Sequence, residues 1–204
     1  MSEITTGLRS VLNNPKIYDL LQSVMGARFT RKQLVQKYIR PLDKCRILDI
    51  GCGTARILDY LPEVAYHGFD LSQRYIDDAS RRYGARGFFS CTLLEQSIVD
   101  SLEPFDIVIA TGVLHHLNDD KAVELIQLAH SALRNGGRLI TIDPCYTNGQ
   151  NLISRYLVSC DRGQNVRSDK QYPFLASTIF SQVNGDVKHR FFIPYTHWIM
   201  ECQK

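Results

Sequence analysis

The sequence predicts an α/β protein built on a mostly parallel, doubly wound sheet with an antiparallel hairpin at its C-terminal end. Short apolar runs alternate with helical stretches from Arg46 to Asp143, a glycine-rich turn follows the first of those runs, and two strand-like runs close the chain. Apolar runs of this length separated by helices are the pattern of parallel strands covered on both faces.

The 204 residues suit one domain with a full core, and a composition of 44% hydrophobic and 22% charged residues is that of an ordinary globular chain. The start, MSEITTGLRSVLNN, carries no apolar leader, and no later run is long enough to span a bilayer. A cytoplasmic protein with no stable membrane insertion is expected. The net charge of +3 comes from Lys and Arg scattered along the chain rather than gathered in a stripe, so no nucleic-acid partner is expected. Cys45, Cys52, Cys91, Cys145, Cys160 and Cys202 are spread without a CxxC pair, and no His, Cys or Asp pair has a ligand spacing. The expectation is no metal.

Ile17, Leu20, Leu21 and Val24 recur at helical spacing, as do Leu34, Val35, Tyr38 and Ile39, so two helices precede the first strand. Strands are then expected in RILDI, YHGFD, RGFFS, FDIVIA and GRLITI, with helices at 72–83 and 119–133. Ser72 is placed to cap the first of these, whose buried stripe is Tyr75, Ile76, Ala79 and Tyr83. After Asp143 the alternation stops. An amphipathic stretch with Leu152, Ile153, Tyr156 and Leu157 leads to the polar segment DRGQNVR, a second apolar stretch spans 174–180, and DVKHRFFI and THWIMEC form the hairpin. The count is seven strands.

In ILDIGCGTAR, glycines at the turn let a ligand approach the backbone where a Cβ would intrude. Asp49 ends the first strand, and Asp70 ends the second about 20 residues on, the distance at which an acid accepts the hydrogen bonds of a ribose diol. The third glycine of the dinucleotide fingerprint is replaced by Arg56, and a carboxylate at Asp49 would repel a pyrophosphate. A cationic ligand such as S-adenosylmethionine (SAM), which carries a sulfonium and no phosphate, suits this turn better.

Four blocks in order, ILDIGCGTA, GFDLS, FDIVIATGVLHHL and LRNGGRLITIDP, make the chain resemble the class I SAM-dependent methyltransferases of small molecules from Arg46 onward. The resemblance implies a Rossmann-like, seven-stranded fold in a single domain, 1–204. Within it, 1–45 is an N-terminal helical cap, 46–143 the cofactor-binding core, and 144–204 an acceptor-side insertion with the C-terminal hairpin. It implies SAM as cofactor and S-adenosylhomocysteine (SAH) as product. Asp49, Gly51, Cys52 and Gly53 are then expected on the methionine moiety, Asp70 on the ribose, Leu71 on an adenine face and Thr111 on the methionine side. Where relatives carry an acid for the adenine amino group, this chain has Cys91, Thr92 and Leu93, whose backbone and packing substitute. Arg28 or Arg31 is a candidate for the SAM carboxylate.

His115, beyond the fourth strand, is the candidate catalytic base, because an ordinary imidazole titrates near pH ~6.5; packing is the alternative. Arg162, Gln164, Asn165 and Arg167 are candidates for holding the acceptor, since Arg pairs donors in a fixed plane, and a solvated loop is the alternative. Tyr195 and His197 are the candidate lining of the acceptor pocket. The expected function is methyl transfer from SAM to a small-molecule, lipid or glycan acceptor by in-line displacement. A non-catalytic SAM-binding protein and a nucleotide-dependent oxidoreductase are the competing readings.

Overall fold

The structure, a computed structural model, describes residues 27–189 and 194–204. The first helix expected, around Ile17–Val24, lies outside the described residues. The chain forms two compact units that divide between Leu94 and Glu95.

In the first unit, helix α1 (Ala27–Leu34) continues through a π-helical turn, Val35–Ile39, that buries Val35, Tyr38 and Ile39. Arg40 then adopts a left-handed φ of 44° and Pro41 follows, which ends the helix. Strands β1 (Arg46–Ile50), β2 (Ala65–Asp70) and β3 (Gly87–Cys91) pair in parallel in the order β3-β2-β1. Ile47 and Leu48 in β1 are fully buried, each contributing roughly 1.5–3 kcal/mol relative to exposure. Helix α2 (Gln73–Tyr83) buries Ile76, Ala79 and Tyr83 as the spacing predicts, while Tyr75 is half-buried and Asp78 takes the remaining place. Ser72 stands at the N-cap position but makes no side-chain cap; its N–H is taken up by Asp70 instead.

The second unit carries α3 (Gln96–Asp100), β4 (Phe105–Thr111), α4 (Asp119–Ala132) and β5 (Leu133–Tyr146), with β4 and β5 parallel. Asn118 caps α4 by accepting the Lys121 N–H. β5 is much longer than the run GRLITI that announces it, because pairing extends it at both ends, with Leu133 opposite Phe105 and Cys145-Tyr146 opposite β6 (Arg167–Ser168). Helices α5 (Leu152–Ser159) and α6 (Gln171–Ala176) frame the polar segment. β7 (Gln182–His189) and β8 (Thr196–Gln203) form the antiparallel hairpin, β8 lying against β5. The α/β class, the mostly parallel pairing and the C-terminal hairpin are as expected. Among the described residues the strands number eight rather than seven, the addition being the two-residue β6.

Candidate functional site

The turn after β1 is shaped by three left-handed positions separated by single residues, Gly51 (φ 74°), Gly53 (φ 54°) and Ala55 (φ 51°). The N–H groups of Gly51 and Cys52 donate to the Phe69 carbonyl at 2.8 and 3.0 Å, which pins the turn to β2. A Cβ on Gly53 would meet nothing within 4 Å, so the turn opens onto clear space. Beneath it, Asp49 is 4% exposed and accepts the Tyr66 hydroxyl on Oδ2 at 2.5 Å, while its Oδ1 is buried with no hydrogen bond. Burial, aided by the charge of Asp70 and opposed by the Tyr66 bond, pushes the Asp49 carboxyl up to about 7. An unsatisfied carboxylate oxygen under an open turn is suited to a cation and hostile to a phosphate.

Asp70 ties the same turn to the end of β2. Its Oδ2 accepts the Gly53 N–H at 2.9 Å and its Oδ1 accepts the Ser72 N–H at 2.8 Å, so the carboxylate is fixed before any ligand arrives. Asp70 is the register partner of Cys91, which sets Thr92 and Leu93 just beyond it. Leu71 and Leu93 are 48% and 60% exposed, large apolar side chains of the kind that cover a flat heterocycle. The residues of this unit expected at the cofactor thus form one end of its sheet, and their donor set fits SAM: a buried carboxylate, a fixed diol acceptor and two apolar faces. Cys52 is buried, its thiol pushed well above the usual range by burial and by Asp49 and Asp70. Tyr66, which orients Asp49, went unmarked in the sequence because a strand tyrosine reads as core. The side chain of Arg28 lies outside the described residues.

In the second unit, Thr111 is exposed at the end of β4, and Gly112 follows with φ 70° and its N–H on the Ile142 carbonyl. His115 is 5% exposed and lies between two carboxylates, Nδ1 2.8 Å from Asp143 Oδ1 and Nε2 3.1 Å from Asp161 Oδ1. Burial opposes the charge on this ring, but the bonds to Asp143 and Asp161 outweigh it and raise the imidazole to about 9. Both ring nitrogens therefore donate at neutral pH, and the base expected at His115 gives way to a fixed imidazolium. Asp161 is desolvated, yet His115, the Tyr195 hydroxyl at 2.5 Å and the Gly163 N–H hold its carboxyl far below the usual carboxylate range.

Arg167, expected on the acceptor, is also corrected. It is 6% exposed, and its guanidinium donates to the carbonyls of Leu114, Leu117 and Asn165 and to the Asp119 carboxylate, so it fastens the turn after β4. Asn165 donates its backbone N–H to the His115 carbonyl, Gln164 is exposed and Arg162 is partly exposed. Tyr195 and His197 are half-buried with ring centroids 5.0 Å apart. The sequence missed Asp161 as a structural hub, although an Asp two residues before Gly is the mark of an Asx turn. Among the described residues no group of three His, Cys, Asp or Glu side chains could hold a metal, and no helix is long and apolar enough to cross a membrane.

Residues 48–139 match the family model described as a methyltransferase domain. The chain is 24% identical over 166 residues to an uncharacterized methyltransferase of Anoxybacillus flavithermus, covering 78% of this chain and 77% of that protein. It is 25% identical over 123 residues to a ubiquinone biosynthesis O-methyltransferase of a Caulobacter species, 55% of this chain but 48% of that protein, so it spans about half the length of that relative. Among solved structures, the N-methyltransferase NodS of Bradyrhizobium japonicum in complex with SAH superposes with a TM-score of 0.67 at 15% identity, covering 87% of this chain and 86% of that one. The family model matched across the glycine turn and the methyltransferase relatives mark residues 48–139 as a methyltransferase domain, and the fold is similar to that of a methyltransferase solved with SAH.

Proposed function

We propose that this protein methylates a small-molecule, lipid or glycan acceptor by in-line displacement from SAM, without a metal and without a nucleic-acid partner. The observation that carries the cofactor half is Asp49 Oδ1, a buried carboxylate oxygen with no hydrogen bond beneath a turn whose Gly53 leaves clear space. SAM supplies an electrophilic methyl group, whose C–S electron pair stays on sulfur as an acceptor lone pair forms the new bond. Asp49, Gly51, Cys52 and Gly53 hold the methionine moiety, Asp70 the ribose hydroxyls, and Leu71 with Cys91, Thr92 and Leu93 the adenine; Thr111 belongs to the methionine side. Arg162, Gln164, Asn165, Tyr195 and His197 form the acceptor side. With His115 held as an imidazolium, catalysis rests on alignment and exclusion of water rather than on a dedicated base.

The test is calorimetric. The full chain should bind SAM and SAH at one site, and Asp70→Ala should weaken SAH by roughly 1.5–3 kcal/mol, the scale of a hydrogen bond to a charged group. Unchanged affinity in that variant would reject the site, and turnover abolished by a chelator and restored by magnesium or zinc would reject the metal-free reaction.

A further inference from the structure

The positive charge of this chain is concentrated in one short stretch. Six of the 24 Lys and Arg residues, Arg31, Lys32, Lys37, Arg40, Lys44 and Arg46, fall within 31–46, but of the 21 Asp and Glu only Asp43 does. Those sixteen residues carry +5, so the rest of the chain is at −2 for a total of +3. Bases recur along the whole sequence, but acids outnumber them outside this stretch.

The fold turns that charge outward. Exposed and buried pairs alternate: Lys32 and Gln33 face solvent, Leu34 and Val35 the core, Gln36 and Lys37 solvent, Tyr38 and Ile39 the core. This four-residue period, that of an α-helix relaxing into a π turn, leaves α1 and its π-helical turn with one buried apolar face and one basic solvent face. The turn that follows is built to display a side chain. Arg40 and Lys44 are both left-handed, at φ 44° and 61°, a conformation non-glycine residues seldom adopt. Backbone bonds hold them there, from the Arg40 N–H to the Val35 carbonyl at 2.8 Å and from the Lys44 N–H to the Glu63 carbonyl at 2.7 Å. Between them Leu42 is 75% exposed, while Ile39 and Cys45 on either side are buried. A lone exposed leucine is ordinary, but here it is carried on a pinned, strained turn that two bases bracket.

We propose that the solvent face of α1 and the turn from Arg40 to Lys44 form a docking surface for an anionic lipid bilayer, with the bases against lipid phosphates and Leu42 in the boundary between headgroups and acyl chains. Charge complementarity selects this partner. Even with Glu63 counted against it, the stretch keeps +4, and a second copy presenting the same face would be repelled. A single-stranded nucleic acid stacks its bases on aromatic side chains, whereas the aromatic here, Tyr38, is buried and the exposed apolar side chain is aliphatic. The contact is superficial, since no helix among the described residues is long and apolar enough to cross a membrane. It also leaves the cofactor turn open: Leu42 and Lys44 precede β1 and Gly51 to Gly53 follow it, so the two lie at opposite ends of a strand that rises about 13 Å. The inference is independent of the methyltransferase reading.

The experiment is co-sedimentation of the full chain with phosphatidylcholine vesicles, with and without phosphatidylglycerol, alongside thermal melts and SAH calorimetry. The wild type should bind only the vesicles that contain phosphatidylglycerol. Raising salt from about 0.1 to about 1 M, which shortens the Debye length from about 10 to about 3 Å, should release it. Lys32→Glu combined with Lys44→Glu should weaken binding roughly thirtyfold or more, since each base near an anionic surface is worth about fivefold. Leu42→Ser should weaken it about threefold to tenfold. Lys121→Glu combined with Lys170→Glu, at two exposed bases of the second unit, makes the same change in net charge and should stay within about threefold of the wild type. Melting temperature and SAH affinity should be those of the wild type throughout. A wild type that ignores anionic vesicles, wild-type binding by Leu42→Ser, or equal loss in the two double variants would each overturn the docking surface. So would a double-stranded RNA that binds more tightly than the vesicles and is lost with Lys32 and Lys44, which would give the patch to nucleic acid. Failure of the wild type to bind SAH would remove the cofactor reading and leave this inference standing.

Discussion

Tyr66 donates its hydroxyl to Asp49 Oδ2 at 2.5 Å, and that bond steadies a carboxylate that burial drives up to about 7. The neutral form of Asp49 is thus within reach at physiological pH, although a cationic ligand needs the ionised one. SAM affinity should climb by up to tenfold per pH unit as pH rises toward about 7 and then level off. In Tyr66→Phe the midpoint should move higher, because the lost bond favoured the carboxylate. The ligand-free protein should show the opposite trend. A carboxyl raised from 3.8 keeps its proton in the folded chain while the unfolded chain has lost it, so stability falls as pH rises from about 4 to 7. SAM affinity that is flat across that range would remove Asp49 from the site.

His115 makes the second unit sensitive to alkali. Its folded value of about 9 lies above the ordinary 6.5, so its stabilisation is fully present below about 6.5 and is lost as pH rises through about 9. The loss should be on the order of 3 kcal/mol, since each tenfold gain in the ring's proton affinity on folding is worth about 1.4 kcal/mol. Thermal melts of the wild type should therefore decline across that window, and His115→Gln should melt lower but with a flatter profile. A wild-type Tm that is constant from pH 6.5 to 9 would mean that the ring is neutral and its role as a fixed cation is wrong.

Arg167 distinguishes a fastening from a binding role. Arg167→Ala strands the carbonyls of Leu114 and Leu117 that its guanidinium now satisfies, and should cost roughly 2–4 kcal/mol of stability in denaturant titrations. Asp119→Ala should cost less than about 1 kcal/mol, because Asp119 is itself exposed and its ion pair is screened. A fully stable Arg167→Ala that loses only acceptor turnover would restore the sequence-based expectation for this residue.

That contrast marks where the sequence was legible. Strands β1 to β5 announce themselves because each reads as a short run rich in apolar residues, and the Asp49 to Gly53 turn because only glycine relaxes its backbone. The extension of β5 over LRNGG did not, since it depends on Leu133 pairing with Phe105 of β4 and on backbone bonds from Gly136 and Gly137 to Lys204 rather than on its own residues. In DRGQNVR the density of hydrogen-bonding side chains was visible, but not which way each points. Arg162 and Arg167 look alike in sequence and differ in structure because Arg167 alone enters β6, where its side chain finds three carbonyls. Charged residues that serve backbone groups far away in the chain carry no local signature.

Gly163 offers the sharpest test of the sewn loop. A Cβ built there would lie 2.1 Å from His115 Cδ2 and 2.6 Å from its carbonyl oxygen, well inside the distance at which carbon atoms attract. His115 cannot yield, because Asp143 holds its ring and its backbone N–H from behind. In Gly163→Ala the loop must therefore retreat by more than about 1 Å, and the bonds from His115 to Asp161 and from Asn165 to the His115 carbonyl break together. The expected cost is roughly 2–4 kcal/mol, within the range for overpacking that also breaks buried polar contacts. With Asp161 withdrawn, His115 loses one of the two carboxylates that raise it, so the alkaline decline in Tm should begin at lower pH than in the wild type. Gly149 supplies the control: it has φ 71° but open space around its Cβ position, so alanine there should cost only about 1 kcal/mol of backbone strain and leave the pH profile in place. If Gly163→Ala and Gly149→Ala melt alike at every pH, the 161–165 loop is not packed on His115 and the cluster does not position Tyr195.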